Sequence, residues 1–265
     1  MIRTAAGLIM SIMLLFSLSA GCSSKGENNL KVYAVKYGKS EFPRKFIYYG
    51  DNTADKLPFT WLFYYIEFRD RRILVDTGFN NEKLRRMFDI SDFRNPVDIL
   101  KENGIGPETI TDVIITHSHF DHIGTLNNYV NARIIINKKE FSSFMKGNGL
   151  NEVREFLKDN SDVYTFEESI TLFDFFRIQK VGGHSVGSSV IIFKHGETEY
   201  CLTGDEAYTE DNITNLKGNG SVVSHSNNIR FLKELNKSGA KPLIFHDNRY
   251  YNEPGNMIQV IPSRQ

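Results

Sequence analysis

His117, His119, Asp121 and His122 place four metal-competent side chains within six positions of the stretch THSHFDHIG, residues 116–124. In an extended chain His117 and His119 point to one side, and the turn that follows brings Asp121 and His122 to a neighbouring point. One short stretch can therefore serve two adjacent ions. A lone histidine is more often a solvated or satisfied core group; here it is the density of donors that points to chemistry. Imidazoles and carboxylates suit Zn, Fe or Mn, and such ions acidify a bound water toward neutral pH. His184 and His246 lie, like these, at or just beyond the end of an apolar run, whereas His195 and His225 do not.

The elements that must position these groups read as strands alternating with amphipathic stretches. LKVYAVKYG from Leu30 alternates like a strand, and FTWLFYYIEF (59–68), RDRR and ILVDTG read as a hairpin of two buried strands. Residues 81–90 and 96–103 have helical spacing, the second opened by Pro96 and closed by Gly104, and 151–159 also reads as a helix. TDVII runs as a strand into the histidine-rich turn, and ARIIIN follows as another. FRIQKV, GGHSVGS, SVIIFK, EYCLTGD and KPLIFHD repeat the strand-then-polar-turn pattern in the second half. This mixture predicts an α/β protein with layered sheets, whose strand-end loops converge on one edge.

Composition sets limits. The 265 residues, 40% of them hydrophobic, suffice for one sizeable core. Lys+Arg and Asp+Glu each number 32, with no long run of like charge, so no electrostatic footprint for nucleic acid exists. Two cysteines, Cys22 and Cys201, exclude a disulfide scaffold and a four-thiolate site. Cys201, in an apolar run, reads as a buried, inert thiol.

Taken together, LVDTG at 74–78, THSHFDHIG at 116–124, GGHSVGS at 182–188, TGD at 203–205 and HD at 246–247 resemble the metallo-β-lactamase-fold hydrolases, in the right order over roughly residues 30–250. The resemblance implies an αββα four-layer sandwich with a dinuclear site on one edge. It implies that His117, His119 and His184 hold one divalent ion, that Asp121, His122 and His246 hold the other, and that Asp205 bridges both. Zinc is the ion it suggests first, with iron or manganese as alternatives. Two divalent cations outweigh two carboxylates and a bridging hydroxide by one positive charge, so nucleophile and oxyanion stabiliser belong to one cluster.

Departures narrow the subfamily. A His at 119 disfavours the flavodiiron pattern, and Asp205 stands where many zinc β-lactamases carry Cys. Thioesterases resembling glyoxalase II share the full ligand set. The N-acyl homoserine lactone lactonases carry a Tyr three residues past the bridging Asp, and Tyr208 occupies that place. The expectation is a binuclear hydrolase that opens lactones through a metal-bridging hydroxide. In it Tyr208 stabilises the oxyanion and Asp121 passes a proton to the leaving alkoxide. A thioesterase or other ester hydrolase, and a non-catalytic metal-containing binding module, are the alternatives. Ser185, Val186 and Phe245 replace residues usual in the lactonases, which bears on pocket shape.

Several further residues take supporting roles in this reading. Asp76, at a strand end, is expected to orient a ligand histidine, and Asp247 either does likewise or is a turn carboxylate. His225 is expected near a helix N-terminus capped by Ser226. Phe42, Phe46, Tyr48 and Tyr49, in a stretch without strand periodicity, either wall an acyl pocket or pack on the sheet, and Phe141, Phe144 and Met145 pose the same choice.

Residues 4–21 are uncharged and follow Arg3, as in a secretion signal; a run of this length could also stay as a membrane anchor. Ser19, Ala20 and Gly21 before Cys22 resemble the lipobox of bacterial lipoproteins, with Leu18 one position further from the cysteine than is usual. The resemblance implies lipidation of Cys22 and a membrane-anchored, extracytoplasmic protein. The chain accordingly divides into a signal peptide at 1–21, a polar tether at 22–29 and a metallo-hydrolase domain at 30–265.

Overall fold

In the computed structural model, which describes residues 29–261, β1 (Lys31–Pro43) passes through α1 (Arg44–Ile47) into the equally long β2 (Lys56–Phe68). The two pair antiparallel, with a register shift between Lys36 and Gly38. The signal segment and Cys22 lie outside the described residues. Even-numbered Leu62, Tyr64, Ile66 and Phe68 enter one core, while odd-numbered Phe59, Trp61, Phe63 and Tyr65 enter another. Burial on both faces is why this run is apolar without interruption.

The hairpin closes with β3 (Arg71–Val75), and α2 (Glu82–Met87) and α3 (Pro96–Glu102) follow. Asn81 and Asn95 cap these helices, accepting from Leu84 N and Val97 N, and so satisfy otherwise orphaned amides. Next come β4 (Asp112–Ile115), α4 (Phe120–Ile123), β5 (Arg133–Asn137), α5 (Lys138–Lys146), α6 (Asn151–Asp159) and β6 (Val163–Phe166). β3 to β6 run parallel.

β7 (Ser169–Leu172), β8 (Phe176–Lys180), β9 (Ser189–His195) and β10 (Thr198–Leu202) build a second, mostly antiparallel sheet. After α7 (Glu210–Thr214) and α8 (His225–Ser238), β11 (Lys241–Leu243) joins β10 in parallel and β12 (Met257–Ile261) returns to β1. The orders are β12-β1-β2-β3-β4-β5-β6 and β11-β10-β9-β8-β7.

Three cores define the layers. Ile73, Ile114, Ile135, Ile178, Ile191 and Leu202 meet between the sheets. Leu74, Val113, Ile134 and Ile136 face Ile99, Leu100 and Val153 of the helices over the first sheet. Phe231, Leu232 and Leu235 of α8 cover Val190 and Cys201 of the second. The result is the αββα sandwich. Each such side chain contributes about 1.5–3 kcal/mol on burial, which makes the sheet edges rigid supports for the loops beyond them. Among the described residues no helix is long and apolar enough to cross a membrane.

Two local expectations are revised, for β1 and for the cap of α8, and the choice left open for the aromatic stretch 42–49 is resolved. Strand β1 continues to Pro43, beyond Gly38, because the register shift breaks the alternation that would have signalled it. Phe42 stacks on Phe59 at 4.4 Å and Tyr48 is buried, while Phe46 and Tyr49 stay exposed. Ser224, not Ser226, caps α8, its hydroxyl accepting from Asn227 N, and His225 is the first helical residue, stacked on Tyr49.

Candidate metal centre

Beyond β4, Thr116 leads into an extended turn whose His119 carbonyl accepts from His122 N and Ile123 N, starting α4 with Asp121 and His122 turned inward. Thr77 N and its hydroxyl both donate to the His122 carbonyl. Asp76, at φ 64°, accepts from Thr116 N at 2.7 Å and from the Thr116 hydroxyl at 2.6 Å. Its Oδ2 also lies 2.6 Å from His122 Nδ1. Asp76 thereby fixes the ring and leaves Nε2 facing the site.

His184 sits in the loop between β8 and β9, held from both sides by buried carboxylates. Glu206 accepts from Gly183 N and His184 N, both at 3.0 Å, and from the Ser188 hydroxyl at 2.6 Å. Glu140, from α5, accepts from Ser185 Oγ at 2.7 Å and Gly187 N at 2.9 Å, and with its other oxygen from Ser118 N and Oγ. Glu140 thus ties the His184 loop to the His117–His119 turn. The glycines of this loop are steric requirements: a Cβ at Gly183 would lie 2.3 Å from Glu206 Oε2, and one at Gly187 would lie 2.5 Å from Glu140 N.

Asp205 follows β10 in a tight turn, and His246 follows β11, its Nδ1 donating to the Thr60 carbonyl at 2.9 Å and its ring stacked on Phe59 at 4.0 Å. Asp247 does not orient this ring: it accepts from Arg249 N and pairs with the Arg249 guanidinium, capping the short turn Asn248–Tyr250.

The seven donors converge in two groups, His117, His119, His184 and Asp205, and Asp121, His122, Asp205 and His246. In the first, His119 Nδ1 lies 3.1 Å from His117 Nε2 and 2.9 Å from His184 Nε2, while Asp205 Oδ2 lies 3.6 and 3.4 Å from those two Nε2 atoms. In the second, His122 Nε2 is 3.5 Å from Asp121 Oδ2 and 3.1 Å from Asp205 Oδ1, and His246 Nε2 is 3.6 and 3.2 Å from the same oxygens. Ligands about 2.0–2.1 Å from a tetrahedral ion stand about 3.3–3.4 Å apart. Both groups fit that spacing, with Asp205 giving one oxygen to each.

Hydrogen bonding supports the same fit. His122 Nε2 and Asp205 Oδ1 are buried and only 3.1 Å apart, yet neither has a hydrogen-bond partner, as expected of atoms aimed at a shared point. All the donors except His119 are buried. Burial lowers the pKa of His184 to about 4 and takes His117 well below its ordinary value, so these imidazoles offer free lone pairs at neutral pH. For Asp205, burial is overcome by the surrounding His122, His246 and His117, which hold the carboxyl well below the usual range.

Tyr208 is buried beside this cluster, its ring edge-on to His246 at 5.2 Å and Phe59 at 5.4 Å. Its hydroxyl faces Asp205 and Asn219; burial first, then the Asp205 and Asp121 charges, push its pKa well up. It is therefore a proton donor. Glu140 and Glu206 were not singled out from sequence. Glu206 directly follows the TGD motif, a signal that could have found it, whereas Glu140 stands in an ordinary amphipathic helix.

Residues 62–243 match the family model described as the metallo-beta-lactamase superfamily. The chain belongs to that superfamily and is a metallo-hydrolase of it. Among its relatives, an N-acyl homoserine lactonase of Bacillus sp. is 27% identical over 209 residues, covering 72% of this chain and 82% of its own. An N-acyl homoserine lactonase of Bacillus cereus is 26% identical over 242 residues, 85% of this chain and 95% of its own. The solved structure of a quorum-quenching N-acyl homoserine lactone lactonase superposes with a TM-score of 0.72 at 21% identity, over 84% of this chain and 94% of that one. At that identity the likeness is one of fold.

Proposed function

We propose that this protein is a binuclear metal-dependent hydrolase that opens lactones of the N-acyl homoserine lactone type, and that it works outside the cytoplasm on a lipid anchor at Cys22. The observation that carries the catalytic reading is the pair of four-donor sets at tetrahedral spacing that share Asp205. Bound there, two divalent cations, proposed as zinc with iron or manganese fitting the same donors, supply an acidified water and a Lewis acid for the carbonyl.

The chain's own groups supply the rest. Asp76 and the Thr60 carbonyl hold His122 and His246 in the tautomer that leaves Nε2 free. Tyr208 keeps its proton and donates to the oxygen on which charge develops. Asp121, between His122 and His246, carries a proton to the leaving alkoxide. Phe59 and Trp61 pack against His246 and keep water from the ring.

The test is a panel of lactones, thioesters and phosphoesters with metal-loaded protein. Lactone turnover is expected, and Asp205→Ala should lose metal and activity together. Thioester turnover with inert lactones would transfer the assignment to a thioesterase. Fewer than two metals per chain by elemental analysis, with no ester hydrolysed, would leave a binding module. Labelling with radioactive palmitate, abolished by Cys22→Ser, tests the anchor.

A further inference from the structure

A groove of about 640 Å³ opens beside His119, walled by Phe120, Phe144, Met87 and Val186. A second hollow of about 600 Å³ meets it at Ser143 and Val186. The lining mixes apolar with polar side chains, and its charged groups are Lys83, Arg154 and Glu140 in the groove and three lysines against Glu167 and Glu168 in the hollow. Arg154 lines the groove at 8% exposure. Its Nε donates to the Phe144 carbonyl, and its Nη1 to the Gly149 carbonyl and to Asn151 Oδ1. All three acceptors are neutral, Nη2 makes no hydrogen bond, and no carboxylate pairs with the guanidinium among the described residues.

Lys83, Lys139 and Lys146, around the same hollows, likewise make no ion pair among the described residues. Of the nearby acids, Glu167 pairs with Lys138 and Glu168 with Lys180, while Glu140 points both oxygens at the neutral donors of Ser118, Ser185 and Gly187 and makes no ion pair with Arg154. Arg154 thereby joins the Phe144 carbonyl at the end of α5 to Gly149 and Asn151 at the entry to α6. Those bonds leave the Nη2 edge without an acid among the described residues, and it is not sealed from solvent on the groove side. A planar fork with a free edge, over an apolar wall, matches a carboxylate or phosphate.

We propose that, among the lactones and esters this site opens, the groove favours those whose non-reacting arm is a short apolar chain ending in an anion, held by Arg154 with Lys83 and Lys146 at the rim. The proposal rests on the hydrolase reading for the scissile end, but the groove can be tested apart from it.

The first measurement is calorimetric binding of hexanamide, hexanoate and hexyl phosphate to the metal-free full chain. The anions should bind about ten-fold more tightly than the amide, the worth of one charge-assisted bond, and the carboxylate and phosphate arms show which anion is preferred. The advantage should shrink at raised salt and vanish in Arg154→Met with Lys146→Met. Should that variant not fold, Arg154→Lys and Lys83→Met with Lys146→Met serve instead, each expected to lose part of the preference. Equal binding of anion and amide, or a preference unmoved by these substitutions, overturns the proposal.

The second measurement compares kcat/KM of the metal-loaded protein on matched esters with neutral and carboxylated arms. Hydrolysis indifferent to arm charge would sink the groove assignment and spare the hydrolase reading. No hydrolysis, with anion preference through Arg154 intact, would do the reverse.

Discussion

Oδ2 of Asp76 lies 2.6 Å from Nδ1 of His122, while the other oxygen of the same carboxylate holds the amide of Thr116 at 2.7 Å. One buried side chain therefore fixes both a ligand ring and the strand end that launches the histidine-rich turn. Its backbone sits at φ 64°, a conformation that Asn also tolerates. Asp76→Asn should keep the fold and weaken metal binding at the Asp121–His122–His246 position about 10–100-fold, read by competition with a chelator of known affinity. Unchanged affinity would refute the role.

Glu140→Ala strands the amides of Ser118 and Gly187. Each stranded donor costs about 1–3 kcal/mol, so urea unfolding should show a loss of several kcal/mol. Metal retention should fall first at the His117–His119–His184 position, because both loops supplying it are released together. Glu140→Gln should recover part of both losses.

Gly187→Ala would bring a methyl group to 2.5 Å from Glu140 N and 2.6 Å from Asn137 Oδ1. Both atoms belong to the start of α5, and Asn137 caps that helix through Lys139 N, so neither yields freely. A destabilisation of about 1–3 kcal/mol is expected, seen as a lower Tm.

Tyr208→Phe removes one hydroxyl and no metal donor. With two metals still bound by elemental analysis, lactone kcat should fall about 100-fold, the scale for losing one oxyanion donor. A rate within two-fold of wild type would argue that Tyr208 only packs against His246.

Cys201 supplies the pH prediction. Burial pushes its thiol pKa up, so the neutral, unreactive form persists as pH rises through the range in which an exposed cysteine ionises. Iodoacetamide at pH 9 should leave Cys201 of the folded protein unmodified, read by mass spectrometry of its peptide, and alkylate it only once denaturant is added. Rapid alkylation of the native state would contradict the burial.

Much of this was legible because histidines are conspicuous at strand ends and the resemblance added Asp205: all seven donors so named lie together in the folded chain. The strand and helix pattern gave layered α/β sheets, and the four-layer arrangement followed from the resemblance to the metallo-β-lactamase-fold hydrolases. What escaped has physical causes. β6 and β7 are four residues each and largely exposed, too short to show a period. The extension of β1 is hidden by its register shift near Gly38. Glu140 gives no local signal, since its partners are 22 to 47 positions away and only the fold unites them. Asp247 was drawn toward its neighbour His246 by adjacency, but the turn sends its carboxylate to Arg249.

The direction of β1 fixes the pole of the molecule at which the described chain begins. Lys39, paired with Thr60, stands level with the imidazole that Thr60 holds. Lys31 lies eight residues back, roughly 26 Å away at about 3.3 Å per residue. Anything fastened ahead of Leu30 thus pulls on the base of the molecule. A leash from Cys22 to Leu30 could stretch about 26–29 Å at most, about the distance from base to catalytic rim, so only a fully extended leash would let the rim turn down onto a bilayer. Were acyl chains to hold the base there, the cleft would open toward the surrounding water, and its substrates would come from solution, not from the lipid.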